Sequence, residues 1–518
     1  MSSTTKAKKM SKNLKQKLAP TTNGASHLIV SALAGTGKTT TLIEGLRLLQ
    51  GETPTISPSD QQQAVWDSML LSADAKSFGF VAFNKSIATE LQHRVPAGVD
   101  AMTMHSMGNK AVRSAFGKFK VSSWRVTDLI SEILERDVRE LRKHKFELLK
   151  ATEKLVGLVK MNLTDTDCES LSRLASHYDI DLNGNQQEVF DLVPQVIERC
   201  KDVAKDGRID FNDMIWLPVV LQLALPKYDL LLVDECQDLN RCQQELVMRA
   251  GKRLILCGDV NQAIYGFAGA DSASMKRMEE TLGDTKAGVD VLPLTVTRRC
   301  GKAIVEEARK IVPEFEAHED NPPGALSSST LKDYVQSIQS NDMVLSRVNA
   351  PLVSECFKFL KEGRKAIIRG RDIGQGLVTT VKKMKADNVA DLIGKLSDWL
   401  HNEVAKENKK KFASESRLIN LQDRYDCLCC FADNCETVDT VISKIEAVFT
   451  DDKDNVGILL SSIHKAKGLE ADRVFIMQTK AAPIPHPMAK IDWQREQEYN
   501  LLYVAVTRAI NELVYIND

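Results

Sequence analysis

The chain has 518 residues, 43% hydrophobic and 27% charged, which is too long for one compact domain and enough to bury several cores. Its 69 lysines and arginines nearly cancel 70 aspartates and glutamates, so a global field is excluded as the means of holding nucleic acid and only local patches remain. Eleven cysteines in a chain that opens without an apolar signal segment, and apolar runs well short of the ~20 residues of a membrane span, exclude a disulfide scaffold and a helical membrane protein; a soluble cytoplasmic protein is expected.

Residues 1–20 carry six lysines and no acidic residue, and this basic leader is expected to be disordered. From His27 short apolar runs ended by turn or polar residues begin: HLIVSA, GFVAFN, YDLLLVDE, KRLILCGD, and later NDMVLS and DRVFIM. Runs of this length suit strands buried on both faces, and the helical stretches between them predict parallel α/β layers. Two charged, helix-periodic regions break the rhythm and read as helical insertions. The expected division is a first α/β domain over 21–115 and 206–290, interrupted by an insertion over 116–205. A second domain follows over 291–375 and 452–518, interrupted by a short insertion over 376–451. The stretch NPPGALSSST, Asn321 to Thr330, reads as a loop.

Ser31 to Thr40 read SALAGTGKTT. The phosphate-loop pattern G-x-x-x-x-G-K-[ST] is met from Ala32 to Thr39 with alanine for the first glycine, between a predicted strand and an apolar-periodic helix. Within the loop Ala34 to Thr40, Gly35 and Gly37 let backbone N–H groups close around phosphates. Lys38 reaches the β/γ oxygens, the Thr39 hydroxyl can ligand Mg²⁺, and Ala34, Thr36 and Thr40 complete the cradle. Alone, this predicts a bound nucleoside triphosphate and no more.

YDLLLVDECQDLN delivers Asp234 and Glu235 at the end of a buried strand. Asp234 can hold magnesium through water, and Glu235 sits where a general base polarises the attacking water; without the phosphate loop the pair would read as a helix cap. LILCGDVNQAIYGFAGA is a further strand running into Asp259, Gln262, Tyr265 and Phe267. The Gln262 amide can sense a γ-phosphate. The two aromatics either join a core or, set among glycines and small residues, stack on bases.

In this order the stretches resemble the superfamily 1 DNA helicases of the UvrD/Rep/PcrA type. Further segments agree with that family: FVAFNKSIATEL, TMHSMG, IDFNDMI, DECQD with cysteine for alanine, LTVTRRC, MVLSRVN, SIHKAKGLEADRVFIM and NLLYVAVTRA. AFNKSIA and AGTGKTTTL are especially similar to phage and bacterial UvrD-like proteins and to the helicase part of F-box DNA helicases. The resemblance implies two RecA-like P-loop motor domains with parallel sheets, each carrying a helical insertion, with ATP and Mg²⁺ between them and single-stranded DNA across both. It implies γ-phosphate sensing by Gln262, arginine fingers Arg299 and Arg508, and a ribose contact from Glu470 with Gly468 at the same edge. On the DNA side it implies stacking by Tyr265 and Phe267, with Asn84, His105 and His464 beside the strand. The implied activity is that of an ATP-dependent DNA helicase or translocase, acting on single strands and single-strand/duplex junctions in repair, recombination or replication. The direction, 3′ to 5′, comes from the resemblance alone. The expected place is the cytoplasm, at the nucleoid in a bacterium or in the host cytoplasm for a phage. Two other readings stay open: a translocase that strips proteins without unwinding, and an ATP-gated binding module.

Several positions depart from the family pattern. Thr21 to Ser26 hold no glutamine where the family has its adenine-reading residue. SPSDQQQAVW, from Ser57, resembles that motif but follows the loop, so Gln61 or Gln62 either folds back to the base or belongs to a capped helix. Phe267-Ala268 stands where the family has tryptophan-arginine, and Phe83 directly precedes Asn84 where the family often spaces them by one. The short second insertion makes translocation a firmer expectation than strand separation. Cys427, Cys429, Cys430 and Cys435 are spaced C-x-C-C-x4-C in a helical stretch without a nearby histidine, and read as free thiols rather than a metal site.

Overall fold

The computed structural model describes residues 25–518 apart from 83, 179, 183, 204–206, 265–272, 409–414, 434, 451–456, 488, 490 and 491. The leader, Phe83, Tyr265 and Phe267 therefore lie outside the described residues.

Each apolar run becomes a strand. In the first half these are β1 (His27–Ala32), β2 (Phe78–Ala82) and β3 (Val99–Thr103), then the small pair β4 (Lys120–Val121) and β5 (Arg208–Ile209), then β6 (Tyr228–Val233), β7 (Gly251–Gly258) and β8 (Val289–Leu294). Six of them form one sheet in the order β3-β2-β6-β7-β1-β8, with every pairing parallel. Successive residues of a strand face opposite ways, and here both faces are apolar. Leu28, Val30, Phe80, Leu230 and Leu232 pack on one side. Ile29, Val81, Leu231 and Val233 pack on the other, in one core with the helices that lie between β4 and β5. Those helices span Arg125–Ile133, Val138–His144, Phe146–Asn162, Cys168–His177 and Gln186–Lys201.

The second half begins with β9 (Val296–Thr297), paired with β10 (Glu316–Ala317). Its sheet is built from β11 (Ala325–Thr330), β12 (Met343–Ser346), β13 (Ala366–Arg369), β14 (Phe449–Thr450), β15 (Ile458–Ser462), β16 (Ala471–Met477) and β17 (Ala509–Asn517). The order is β11-β17-β16-β12-β15-β13-β14, again all parallel. Four helices, Arg371–Met384, Val389–Asn408, Glu415–Ala432 and Val438–Val448, lie between β13 and β14. The fold is thus mixed α/β with two parallel sheets, as two RecA-like domains require.

One expectation needs correction. Ala325 to Thr330 is a strand and not a loop, pairing with β17 along its whole length. It is an edge strand exposed almost throughout, so backbone hydrogen bonds hold it and its small polar side chains carry no apolar alternation to announce it. Among the described residues no helix is long and apolar enough to cross a membrane.

A core also joins the two halves. Leu33 and Ala34 of the phosphate loop, with Ile264, pack among Cys300, Ile304, Tyr503 and Val504 of the second half. The loop is therefore seated against the second domain.

Candidate nucleotide site and DNA-facing edge

In parallel α/β sheets ligands gather where strands end and helices begin. The loop leaves β1 and turns into the helix Lys38–Leu49 through Gly35 and Gly37, whose φ angles of 68° and 80° lie in the left-handed region. No side chain caps this helix, so its first N–H groups face the loop as a ready anion site. A Cβ on Gly35 would lie 2.5 Å from Thr297 Oγ1 and 2.6 Å from Arg299 Cβ, so glycine is also required by the second half's approach. Arg298 N–H donates to the Gly35 carbonyl at 3.0 Å, and Ala34 N–H donates to the Tyr503 hydroxyl at 3.0 Å.

Asp234 ends β6 beneath this loop, and Thr39 Oγ1 donates to its Oδ2 at 2.5 Å. Burial, and then the like charge of Glu235, push Asp234 up to about 6. Two hard oxygen donors side by side, one on a carboxylate short of positive charge, form a setting that a divalent cation relieves; Thr39 and Asp234 fit Mg²⁺. Lys38 Nζ lies 4.0 Å from Glu235 Oε1. Against the upward push of burial, Lys38 and then Lys467 hold Glu235 down to about 2, so it stays ionised at neutral pH. Glu235 itself has φ 56°, a strained value for a residue with a side chain. Gln237 secures it, donating from Nε2 to Glu235 Oε2 at 2.5 Å and accepting at Oε1 from Asp259 N–H at 3.1 Å.

Gln262 is buried, and its Nε2 donates to Asp259 Oδ2 at 2.7 Å. From the second half, Lys467 Nζ reaches Asp238 Oδ2 at 2.5 Å and the Gln262 carbonyl at 2.8 Å. Arg508 is buried and donates to the carbonyls of Val504 and Leu469, both at 3.0 Å. Burial, and then the neighbouring Arg299, lower it to about 10, with Glu235 opposing them. Arg299 pairs through Nε with Glu470 Oε2 at 2.7 Å, and Gly468 turns the chain just before that glutamate with φ 84°. Both arginines thus stand on the second half, next to the loop and acidic box of the first.

The residues expected to face DNA each follow the end of a strand. Asn84 follows β2 and caps the helix Lys85–Arg94 by accepting from Ile87 N–H at 2.9 Å. His105 follows β3 on the surface, in the first turn of the helix Met104–Phe116. His464 follows β15; burial, and then Arg347, lower its pKa to about 3, so it is a neutral imidazole.

Sequence reasoning missed Tyr503, Lys467, Gln237 and Thr297, although each lies inside a stretch it had singled out. SPSDQQQAVW holds a capped helix: Asp60–Leu70 carries a capping box in which Ser59 Oγ accepts from Gln62 N–H and Gln62 Oε1 accepts from Ser59 N–H. The cysteines at 427, 429, 430 and 435 are free thiols, Cys427 fully buried and the others half-buried. Among the described residues the one cluster with metal-holding proximity is elsewhere, at His318, Glu319 and Asp320.

Residues 12–283 match the UvrD/REP helicase N-terminal domain, and residues 457–516 the UvrD-like helicase C-terminal domain. The match begins inside the stretch read as a leader. The chain is 24% identical to F-box DNA helicase protein 1 of Schizosaccharomyces pombe, over 96% of this chain and 56% of that one. It is 25% identical to ATP-dependent DNA helicase PcrA of Bacillus subtilis, over 58% and 39%. It is 24% identical to F-box DNA helicase 1 of Gallus gallus, over 93% and 46%. The chain thus spans about half the length of these curated relatives. A match across more than half of the chain, carrying the phosphate loop and the acidic box, makes it a member of the UvrD/Rep helicase family.

Proposed function

We propose that the chain is an ATP-driven DNA helicase that moves 3′ to 5′ along single strands, working in the cytoplasm on DNA under repair, recombination or replication. What supports this reading is the approach of Arg299 and Arg508, from the second half, to Lys38, Thr39, Asp234 and Glu235 of the first. Lys38 offsets charge on the β- and γ-phosphates. Ionised Glu235, held by Gln237, polarises the attacking water and takes up its proton. Mg²⁺ held by Thr39 and Asp234 would supply neutralisation of the phosphate oxygens. Arg299 and Arg508 stabilise the transferring phosphoryl group only while the domains are closed, so turnover and domain motion are linked. Asn84, His105 and His464 put polar groups along the DNA edge; neutral His464 supports contact without charge recognition. That these relatives are DNA helicases by name supports DNA as the track.

The test measures ATP hydrolysis with and without single-stranded DNA, beside strand displacement on 3′-tailed and 5′-tailed duplexes, with Lys38→Ala as control. DNA-stimulated hydrolysis and displacement from 3′ tails are expected. Hydrolysis indifferent to DNA would sink the motor reading and leave an ATP-gated module. Stimulation without displacement would favour a translocase that strips proteins, the reading suggested by the small four-helix segment between β13 and β14.

A further inference from the structure

Two adjacent glutamines sit at the start of the helix Asp60–Leu70, and each uses both ends of its side-chain amide. Gln62 Nε2 donates to Thr41 Oγ1 at 2.9 Å, while its Oε1 accepts from Ser59 N–H at 3.0 Å. Thr41 is on the helix that begins at the phosphate loop, and its N–H and hydroxyl both donate to the Gly37 carbonyl. Trp66, one turn further along, donates from Nε1 to the Thr41 carbonyl at 2.9 Å. The helix is thus fastened to the back of the loop at two points on one threonine.

Gln61 faces the other way. Its Oε1 accepts from Thr295 N–H at 2.8 Å and its Nε2 donates to Thr295 Oγ1 at 2.9 Å, a two-pronged grip on one residue. Thr295 lies where the chain crosses from β8 of the first sheet to β9, and its own carbonyl accepts from Glu316 N–H at 3.1 Å. Two residues later Thr297 meets Gly35, and four residues later comes Arg299. A side-chain amide that uses both its ends on a backbone N–H and a hydroxyl is oriented in one way only, so it transmits position rather than merely filling space.

We infer that Gln61 and Gln62 form a brace between the phosphate-loop helix and the crossover into the second domain, and that Gln61 is a positioning residue for Arg299. The inference rests on the motor reading above. Loss of the grip would let the crossover drift, and arginine-dependent turnover is sensitive to small displacements of the finger. Nucleotide binding, set by the loop itself, would be spared.

The experiment compares the full chain with Gln61→Ala, Gln61→Glu and Thr295→Ala. DNA-stimulated kcat, the KM for ATP, the ratio of ATP to GTP turnover and the thermal midpoint are measured for each. A glutamate keeps the grip, because each oxygen can accept, one from Thr295 N–H and one from its hydroxyl. It cannot donate to an adenine ring nitrogen as a glutamine does. Expected is about a fivefold fall in kcat for Gln61→Ala with KM within about twofold, near wild-type kcat for Gln61→Glu, and no change in the ATP to GTP ratio. Adding Thr295→Ala to Gln61→Ala should cost little more than Gln61→Ala alone, because the hydroxyl has already lost its partner. A raised KM and a lost ATP preference in both Gln61 variants would overturn the inference in favour of base reading. Unchanged kcat in Gln61→Ala, or a fall matched by unfolding that Gln61→Glu does not rescue, would overturn it as well. A wild-type chain that hydrolyses no ATP overturns the motor reading and takes this inference with it; a hydrolysing wild type with an unaffected Gln61→Ala overturns the inference alone.

Discussion

Two groups of buried charge in this molecule look alike in composition and differ in use. Where the helical insertion meets the first α/β domain, Arg125 Nη1 meets Asp213 Oδ2 at 2.6 Å, and Lys160 Nζ lies 2.6 Å from Asp210 Oδ2 and 2.7 Å from Asp213 Oδ1. The two aspartates also accept each other's backbone N–H groups, each at 2.8 Å. Two cations face two carboxylates, all in the first half, and Arg125 Nη2 also donates to the Cys200 carbonyl at 3.1 Å. Burial alone would discharge Lys160, yet Asp213 and Asp210 hold it protonated well above the usual lysine value. In the nucleotide cleft Asp234, Glu235, Asp238 and Asp259 confront Lys38 from their own domain, and Lys467 and Arg508 from the other. There the Lys38–Glu235 distance is 4.0 Å, and adjacent carboxylates are pulled apart to about 6 and about 2. A closed, balanced cluster inside one domain stabilises a fold. An unbalanced one split across a domain boundary is arranged to receive charge and to move.

The contrast can be broken in order of expected effect. Arg299→Ala should lower DNA-stimulated hydrolysis about a thousandfold while nucleotide binding, followed by fluorescence titration, persists; lost binding with intact turnover of what binds would remove Arg299 from the transition state. Asp213→Ala leaves Lys160 and Arg125 buried without enough negative charge, and should cost about 3–5 kcal/mol in denaturant unfolding. Its specific ATPase, measured on the folded fraction, should stay within about twofold. A collapse of hydrolysis without loss of stability would show that the two clusters are not separate in role.

Gly35→Ala tests the boundary itself. The added methyl meets Thr297 Oγ1 and Arg299 Cβ inside contact distance at a φ of 68°, so a strain of about 1–3 kcal/mol and about a tenfold fall in kcat/KM are expected. Wild-type kinetics would mean that the domains part more easily than their packing suggests. The smallest effect belongs to Cys236→Ala, which restores the alanine of the family's acidic box. Cys236 is buried beside Gly258, and its thiol is pushed well above the usual range by burial. Stability should change by about 1 kcal/mol or less and hydrolysis hardly at all; a tenfold kinetic change would assign the thiol a part in the site.

What was legible in the sequence is what local chemistry decides. The glycines at 35 and 37, Lys38 and Thr39 between a strand and a helix, and the acidic pair at the end of a leucine-rich run announce themselves within a few residues. Edge strand β11 did not, because its Ser-rich residues face water and carry no alternation. The grip of Gln61 on Thr295 joins residues 234 positions apart, and Ala34 meets Tyr503 across 469. Neither partner has a feature that names the other.

The sequence by itself determined the α/β character, the parallel layering and the phosphate-loop turn between strand and helix, since backbone sterics, side-chain alternation and loop chemistry act over short stretches of chain. Only the tertiary structure decided which charge meets which. It set Arg508 behind the acidic box, gave Gln61 and Gln62 their partners Thr295 and Thr41, and brought Arg125, Lys160, Asp210 and Asp213 together. A hydrogen bond or ion pair depends on the last ångström of approach between distant segments, and that is fixed by how the cores pack rather than by the order of residues within any one of them.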